Sequence, residues 1–269
     1  MVRSTIALGL HQQCAGPQAM GTGNTKCRYD FANILFAGRC NQRCPYCIGQ
    51  QLPKALNHDN LDEFPPRNLE AYVALIKQHN IRQITLSGTN TDPQLYRHEA
   101  QLLSWLREHL PMARISLHTN GQLAMKKLAV FNTYDRATIS FPSFTPQVFA
   151  NMTGARHMPD MPAILRAARI PIKISCVVGE QNAHQIDEFV AHCHSIGVRR
   201  LALRQLYGDD RQWPILLDLE PVSYFRNNPV YDYFGMQVTH WRFEHTTTTS
   251  LNLFADGTIS SEYLLAKAA

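Results

Sequence analysis

The sequence is organised around residues 36–47, which read Phe36-Ala37-Gly38-Arg39-Cys40-Asn41-Gln42-Arg43-Cys44-Pro45-Tyr46-Cys47. Three cysteines separated by three and then two residues can bring their thiols together on one soft metal centre. A [4Fe-4S] cube normally takes four cysteine ligands, so three leave one of its irons without a protein ligand. An iron with a free coordination position can bind a second molecule. The stretch therefore predicts a metal centre that takes part in chemistry.

Two other interpretations of these thiols stay open. A zinc site requires a fourth ligand, for which His58 is the nearest downstream candidate. Alternatively, the thiols are unliganded core residues. The chain has seven cysteines, an odd number, and three of them are crowded together. This usage favours a reducing compartment and a metal site over a disulfide framework. Cys14 and Cys27 are interpreted as incidental thiols, with a further metal role left open.

The cysteine spacing, the preceding apolar strand and the aromatic residue before the last cysteine resemble the signature of the radical S-adenosylmethionine (radical SAM) superfamily. Cys40-Asn41 and Pro45-Tyr46-Cys47 are most similar to its branch of molybdenum-cofactor GTP cyclases. The resemblance implies that Cys40, Cys44 and Cys47 hold a [4Fe-4S] cluster whose open iron binds S-adenosylmethionine. It also implies that an electron from the cluster cleaves this cofactor to a 5'-deoxyadenosyl radical. The sequence offers no cysteine ligands for the second cluster of that branch, because no cysteine follows Cys193.

Composition limits the class of protein. With 269 residues and 45% hydrophobic content, the chain can bury a sizeable core. The formal net charge of +5 is scattered, so it does not favour a nucleic-acid or membrane partner. No apolar run approaches the roughly 18 residues of a membrane span, and the run near the start is short for a signal peptide. We therefore expect a cytoplasmic protein.

After the cysteine stretch, short β-rich runs alternate with helix-length amphipathic segments. We predict an α/β fold with a partial (β/α)6, TIM-like barrel over residues 33–208. An irregular extension over 1–32 precedes it, and a small β-rich cap over 209–269 follows it. Strands are predicted over 33–39, 83–86, 113–118, 137–141, 171–178 and 201–206, and in the cap over 236–243, 250–255 and 258–263. Asp256-Gly257 predicts a tight hairpin between the last two.

Apolar periodicity predicts the helices. Leu69, Tyr72, Val73 and Ile76 recur at helical spacing and indicate the first helix, and further helices are predicted over about 94–109 and 122–132. The clearest helix has Asn182 as its N-cap and ends at Gly197. Cys193 lies on the apolar stripe of that helix and is therefore interpreted as a core residue.

Barrels of this kind place chemistry at the carboxyl ends of their strands. After the second strand, Ser87-Gly88-Thr89-Asn90 stands where the superfamily has its Gly-Gly-Glu-Pro loop, whose backbone receives the amino group of S-adenosylmethionine. A glycine lets the backbone approach closely, and small polar residues offer acceptors for an ammonium group. Taken alone, the segment is an ordinary Gly-Asn turn.

The resemblance implies further contacts, residue by residue. Expected to contact the cofactor are Tyr46, Ser140, Val178, Arg204 and Tyr207. Thr119 and Lys173 are expected to approach the substrate, with Lys173 near an anionic group. A lysine on a strand is, however, usually a solvated edge residue. Cys176 could donate a hydrogen atom to a product radical, although a thiol in an apolar strand is more often a small buried hydrophobe.

The leading hypothesis is a single-cluster radical SAM enzyme that abstracts hydrogen from a small polar metabolite, such as a nucleotide-like one. It would receive its electron from a donor such as flavodoxin or ferredoxin. A second hypothesis is modification of a peptide or a nucleic-acid base, against which stands the lack of a recognition module or basic platform. A third is a non-catalytic metal-binding protein on the same fold, which the divergent loop after the second strand favours.

Overall fold

The strands arise from short runs of apolar and β-branched residues, which suit a pleated and half-buried surface. The structure is a computed structural model that describes residues 29–216 and 218–263, so Cys14 and Cys27 lie outside the described ranges. Its strands are β1 (Phe31–Phe36), β2 (Gln83–Gly88), β3 (Arg114–Thr119), β4 (Arg136–Ser140), β5 (Ile172–Val178), β6 (Arg200–Gln205), β7 (Ser223–Phe225), β8 (Asn228–Tyr233), β9 (Met236–Trp241), β10 (Ser250–Leu253) and β11 (Ile259–Ser260).

All of these strands lie in one mixed sheet, in the order β11-β10-β1-β2-β3-β4-β5-β6-β9-β8-β7. Strands β1 to β6 are parallel neighbours in chain order, as expected for successive right-handed βα units. The C-terminal strands extend this unit at both edges, since β10 pairs in parallel with β1 and β9 with β6. The predicted hairpin of β10 and β11 is present and antiparallel. The α/β prediction is confirmed, and the C-terminal strands cover both edges of the six-stranded sheet.

Helices cover one face of this sheet. They are α1 (Leu69–Gln78), α2 (Glu99–His109), α3 (Leu128–Phe131), α4 (Pro146–Thr153), α5 (Met161–Ala167) and α6 (Ile186–Ser195). The predicted stripe of α1 is buried and joins Ile34 of β1 and Ile84 of β2 in the main hydrophobic core. Burial of such apolar side chains supplies most of the stabilisation of the fold, at about 25 cal/mol per Å². None of the helices in the described ranges has the length and apolar character needed to cross a bilayer.

The other face of the sheet is polar, because side chains alternate between the two faces along each strand. Most residues that alternate with the core positions on β3 to β6 are polar, and they include Ser116, His118, Arg136, Thr138, Ser140, Lys173, Ser175, Arg200 and Arg204, beside the apolar Val177 and Ala202. We call this surface the lumen face. His118, Thr138 and Lys173 lie side by side across β3, β4 and β5.

Two helices begin later than their periodicity predicts. Pro93–Leu95 forms a separate 3-10 turn because Asp92 caps the backbone N–H of Gln94, and α2 therefore begins only at Glu99. The predicted helix over 122–132 is regular only in α3, since tight turns occupy the residues before it.

Asn182 was expected to cap the helix that ends near Gly197, and this prediction is wrong. Its side chain makes no N-cap hydrogen bond. The amide oxygen instead accepts from the backbone N–H of Gly179, while the amide nitrogen donates to the carbonyls of Pro142 and Val177. Asn182 is therefore a buried bridge between the ends of β4 and β5. Helices α4 and α5 and strands β7 and β8 were not predicted.

Candidate active site

The cysteine loop, residues 37–47, leaves the carboxyl end of β1 without regular secondary structure up to Cys47. Its three thiols are free and partly exposed. The backbone N–H of Gln42 donates to the sulfur of Cys40 at 3.4 Å, and the thiol of Cys47 donates to the carbonyl of Thr89 at 3.7 Å. All three cysteines lie in this one short loop after β1, so the loop presents their sulfurs at the same edge of the sheet.

Electrostatics show that the three thiols are neighbours. Burial, together with the charges of Cys47 and Cys40, raises the pKa of Cys44 to about 12. Burial also raises the pKa of Cys40, with Asp92 and Cys47 adding to the effect. Free thiols with raised pKa values hold their protons at neutral pH, so a metal that binds here must release them.

His58 does not supply the fourth ligand that a zinc site would require. Its Nε2 lies 2.8 Å from both Glu63 Oε1 and Arg67 Nη2, in a surface network. Across the described residues, no three His, Cys, Asp or Glu side chains converge closely enough to hold a single metal ion.

The end of β2 and the loop that follows it pack directly on the cysteine loop. Asn90 Oδ1 accepts from the backbone N–H of Gly38 at 3.0 Å, and the hydroxyl of Thr89 donates to Asn57 Oδ1 at 2.6 Å. A Cβ atom at Gly88 would come within 1.7 Å of the carbonyl oxygen of Thr91. The turn therefore requires glycine at this position, and the contact of this segment with the cofactor stays a prediction.

Sequence reasoning missed Asp92 at the end of this loop. Its carboxylate is 2% exposed and accepts from the Thr119 hydroxyl at 2.8 Å, from Asn120 N at 2.6 Å and from Gln94 N at 2.9 Å. Burial raises the pKa of Asp92 to about 6, although these hydrogen bonds lower it. The available signal was an acidic residue before Pro93, as in the Glu-Pro of the superfamily loop.

Asp92 also determines where Thr119 points. The Thr119 hydroxyl donates to this carboxylate and accepts from the backbone N–H of Gly121, and the residue is 3% exposed. The neighbouring Asn120 side chain donates to Asn41 Oδ1 at 2.7 Å and so joins β3 to the cysteine loop. Contact between Thr119 and a substrate stays a prediction, because its hydroxyl is already paired within the protein.

The predicted contacts beyond the cysteine loop divide between the two faces of the sheet. Ser140 and Arg204 lie on the lumen face, and the guanidinium of Arg204 lies 5.0 Å from the ring centre of Phe243. Tyr207 is 39% exposed and meets the same ring edge-on. Val178 is instead a core residue.

The Tyr46 side chain lies among the thiols. Burial raises its pKa, and the nearby Cys44, Cys176 and Cys47 add to the shift. Its predicted contact with the cofactor stays a prediction.

Cys176 also lies on the core side of β5. Its thiol is fully buried, donates to the carbonyl of Pro142 at 3.5 Å and accepts from the amide of Asn182 at 3.4 Å. This environment is that of a packed core thiol, and its role as a hydrogen-atom donor stays a prediction.

The lumen face carries a group of basic side chains. Burial, together with the charges of Arg204, Arg200 and Arg136, lowers the pKa of Lys173 to about 8. The pKa of His118 is lowered to about 3, first by burial and then by the charges of Lys173, Arg204 and Arg136. Part of the His118 side chain is nevertheless exposed on the lumen face. Within the described chain, Lys173 and Arg204 make no ion pair with a carboxylate.

A second apolar cluster lies beside the cysteine loop. It consists of Leu35, Leu52, Leu56 and Phe254, against which Tyr263 packs. Burial and nearby Cys47 raise the pKa of Tyr263 to about 12, while Arg204 lowers it. No local sequence pattern indicated this cluster, because its members come from both ends of the described chain.

Comparison with known proteins identifies the family. Residues 34–193, more than half of the chain, match the Radical SAM superfamily. The chain belongs to the radical SAM superfamily. It is therefore an enzyme of a family that uses a [4Fe-4S] cluster and S-adenosylmethionine.

Curated relatives of this chain include GTP 3',8-cyclases. The chain is 28% identical over 200 residues to the GTP 3',8-cyclase of Peptoclostridium acidaminophilum, covering 70% of this chain and 59% of the relative. It is 28% identical over 158 residues to the GTP 3',8-cyclase of Syntrophomonas wolfei, covering 55% and 46%. The chain thus spans about half the length of the curated relatives that it matches.

Solved structures share the fold. Streptococcus suis SuiB, in a crystal structure with its precursor peptide SuiA, superposes with a TM-score of 0.53 at 17% identity. The match covers 66% of this chain and 40% of SuiB. At this identity the likeness concerns the architecture alone.

The cysteine loop fits the cluster that the superfamily uses. Its donor set is three thiols, and thiolates are the ligands that iron–sulfur clusters take. Gly49, directly after the loop, lets it pack tightly, because a Cβ atom there would lie 2.4 Å from the carbonyl oxygen of Thr89. Cys40, Cys44 and Cys47 would hold the cluster, which supplies the electron for cleavage of S-adenosylmethionine.

Proposed function

We propose that this radical SAM enzyme abstracts hydrogen from a small anionic metabolite of the nucleotide-like class. The observation that carries the proposal is the basic lumen face, where Lys173 and Arg204 lack carboxylate partners among the described residues. Charges that are partly removed from water are normally paired. These two half-buried cations without a carboxylate partner therefore favour an anionic ligand. The names of the GTP 3',8-cyclase relatives support the same class of substrate.

The proposed roles follow the position of each residue. Proposed to hold S-adenosylmethionine at the carboxyl edge of the sheet are Tyr46, Ser87, Gly88, Thr89, Asn90, Ser140, Arg204 and Tyr207, together with the backbone of Val178, whose side chain lies in the core. Lys173 would neutralise the anionic group of the substrate, and Thr119 would lie beside it. The second apolar cluster would exclude water from a reactive radical.

An electron donor such as flavodoxin or ferredoxin is part of the proposal. The cysteine loop borders an open cleft of about 410 Å³, lined by Arg39, Cys40, Asn41, Arg43, Leu95 and Gly154. Arg39 and Arg43 are exposed there, which suits an acidic carrier protein. Such carriers are cytoplasmic, and we propose the same location for this enzyme.

The first experiment is anaerobic reconstitution with iron and sulfide, followed by reduction with dithionite and addition of S-adenosylmethionine. We expect slow formation of 5'-deoxyadenosine, abolished in Cys44→Ala and retained in Cys193→Ala, which alters a buried thiol of α6. A reconstituted cluster that binds no S-adenosylmethionine and forms no 5'-deoxyadenosine would favour the non-catalytic metal-binding alternative.

Substrate class is tested separately, by titrating the reconstituted enzyme with GTP, with other nucleoside triphosphates and with neutral nucleosides. We expect the phosphorylated compounds to bind and to increase 5'-deoxyadenosine formation, and the nucleosides to do neither. Equal responses to both sets would contradict an anionic substrate. Tight binding of a peptide or an RNA with no response to nucleotides would favour the macromolecular alternative.

A further inference from the structure

Gln42 is the one residue of the cysteine loop whose side chain is buried between two cysteines. It is 8% exposed, and the thiol of Cys44 donates to its Oε1 at 3.5 Å. Its backbone N–H donates to the sulfur of Cys40 at 3.4 Å. The side-chain nitrogen Nε2 is buried and has no hydrogen-bond partner. One residue thus touches two of the three sulfurs and keeps an unused donor beside them.

This arrangement suits a protonated Cys44 and not a metal-bound one. A thiolate that ligates iron has no proton, so Cys44 can no longer donate to Oε1. The amide oxygen would then face a negatively charged sulfur, while Nε2 would stay buried without an acceptor. Both conflicts are resolved by one rotation of the amide group, because its oxygen and nitrogen occupy nearly equivalent positions.

We propose that Gln42 is a positioning residue for the cluster, with its backbone N–H donating to Cys40 and its turned side-chain amide donating to Cys44. Hydrogen bonds to cluster sulfurs stabilise the reduced state, which carries one more negative charge than the oxidised state. Gln42 therefore makes the cluster easier to reduce. The inference depends only on the superfamily's cluster and not on the proposed substrate, so it goes beyond the proposed function.

The test is the midpoint potential of the reconstituted cluster, measured by anaerobic redox titration followed by electron paramagnetic resonance. Three variants of similar volume are compared with wild type: Gln42→Leu, Gln42→Glu and Gln50→Leu. Gln50 is the matched control, because it is exposed and its amide donates to the backbone carbonyl of Cys44 and not to a sulfur. Iron and sulfide content and the visible spectrum establish that each variant carries the same cluster.

We expect Gln42→Leu to have a more negative potential than wild type, because one donor to sulfur is lost. Gln42→Glu should be more negative still, because a carboxylate replaces a donor with a charge of the same sign as the thiolate. Gln50→Leu should match wild type. An unchanged potential in Gln42→Leu with full cluster content would overturn the proposal, whether or not the enzyme proves active on nucleotides.

A second measurement uses the wild-type protein and so does not depend on a variant that folds. The protein is produced with nitrogen-15 in its glutamine side-chain amides, and the reduced cluster is studied by pulsed electron paramagnetic resonance. We expect a hyperfine coupling to one amide nitrogen, absent in Gln42→Leu where that variant assembles its cluster. A reduced cluster with no coupled glutamine side-chain nitrogen would overturn the proposal.

Discussion

The cysteine loop and the lumen face lie at the same site but differ in how completely their polar groups are paired. Around the cysteine loop, short hydrogen bonds join separate segments. Asn90 accepts from the backbone N–H of Gly38. Asn41 accepts from the side chain of Asn120, and the buried Asp92 accepts from the backbone N–H of Asn120. On the lumen face, Lys173 and Arg204 have no acidic partner in the described chain. The contrast indicates that the protein itself pairs the buried Asp92 carboxylate of the first region, although Gln42 Nε2 is left without a partner there. It supports the proposal that a bound anion pairs the two cations of the second region.

Of the substitutions considered, removal of the Asp92 carboxylate should break the most hydrogen bonds near the cysteine loop. In Asp92→Ala, three donors lose their acceptor inside the protein, and each unsatisfied buried donor costs about 1–3 kcal/mol. We expect the free energy of unfolding to fall by about 4 kcal/mol, measured by urea denaturation. Asp92→Asn should recover part of the loss. The surface control Asp62→Ala should change it by less than about 0.5 kcal/mol, and a similarly small effect at Asp92 would contradict this account.

A steric change at Gly88 should have the next largest effect. A methyl group there meets the carbonyl of Thr91, so the loop must move. We expect Gly88→Ala to lose about 2 kcal/mol of stability and to bind S-adenosylmethionine at least about tenfold more weakly, by equilibrium dialysis of the reconstituted protein. Gly179→Ala is the matched control, because nothing lies within 4 Å of the added atom. Equal effects in both variants would show that the loop tolerates the methyl group.

On the lumen face, the comparison predicts a pH-dependent change in affinity and little loss of stability. Lys173 has a pKa of about 8 in the free protein, and a bound anion favours its charged form and raises that pKa. Affinity for GTP should therefore be constant below pH 8 and should fall as the pH rises above it. We expect Lys173→Met to bind about tenfold more weakly at pH 7 and to lose this pH dependence.

Calorimetric titration between pH 7 and pH 9.5 would measure both effects. Lys126→Met, at an exposed lysine, is the control and should match wild type. A Lys173→Met protein that retains the wild-type affinity and the wild-type pH profile would remove the anion site from the proposal.

The smallest effect is expected at Cys176. Because its thiol faces the core among Ile174 and Val178, its removal should leave 5'-deoxyadenosine formation within about twofold of wild type. Product yield, measured by mass spectrometry in deuterated solvent, distinguishes a packed core thiol from a hydrogen-atom donor. A Cys176→Ala enzyme that cleaves the cofactor but accumulates unquenched or dimeric product would instead support the hydrogen-donor role.

Local periodicity in the sequence predicted most of the parallel sheet. The apolar runs of β2 to β6, the stripe of α1 and the Asp256-Gly257 hairpin are local signals, and the structure has each of them. Strands β7 and β8 were missed because their turn places Arg226 and Asn227 at positive φ without a glycine. Helix α4 was also missed, although Pro146 in its first turn and Gly154 at its end were readable signals.

Prediction of the site was less complete, for a different reason. The cysteine spacing is contained in eight residues, so it could be recognised directly from the sequence. Asp92 and Asn120 interact across strand ends, and the direction of Asn182 depends on β4, so no local pattern specified these contacts. Polar residues with several available partners take the one that tertiary structure brings to them.

The pairing of β10 with β1 has a consequence for how the protein is made. Phe31 lies opposite Ser250, and the Tyr72 hydroxyl donates to the carbonyls of both Asn33 and Leu251. The strand that carries the cysteine loop therefore gains its outer neighbour only after more than two hundred further residues have been synthesised. Contacts of such high sequence separation form slowly. A chain in which residues 250–253 have not yet been synthesised therefore exposes this edge of β1.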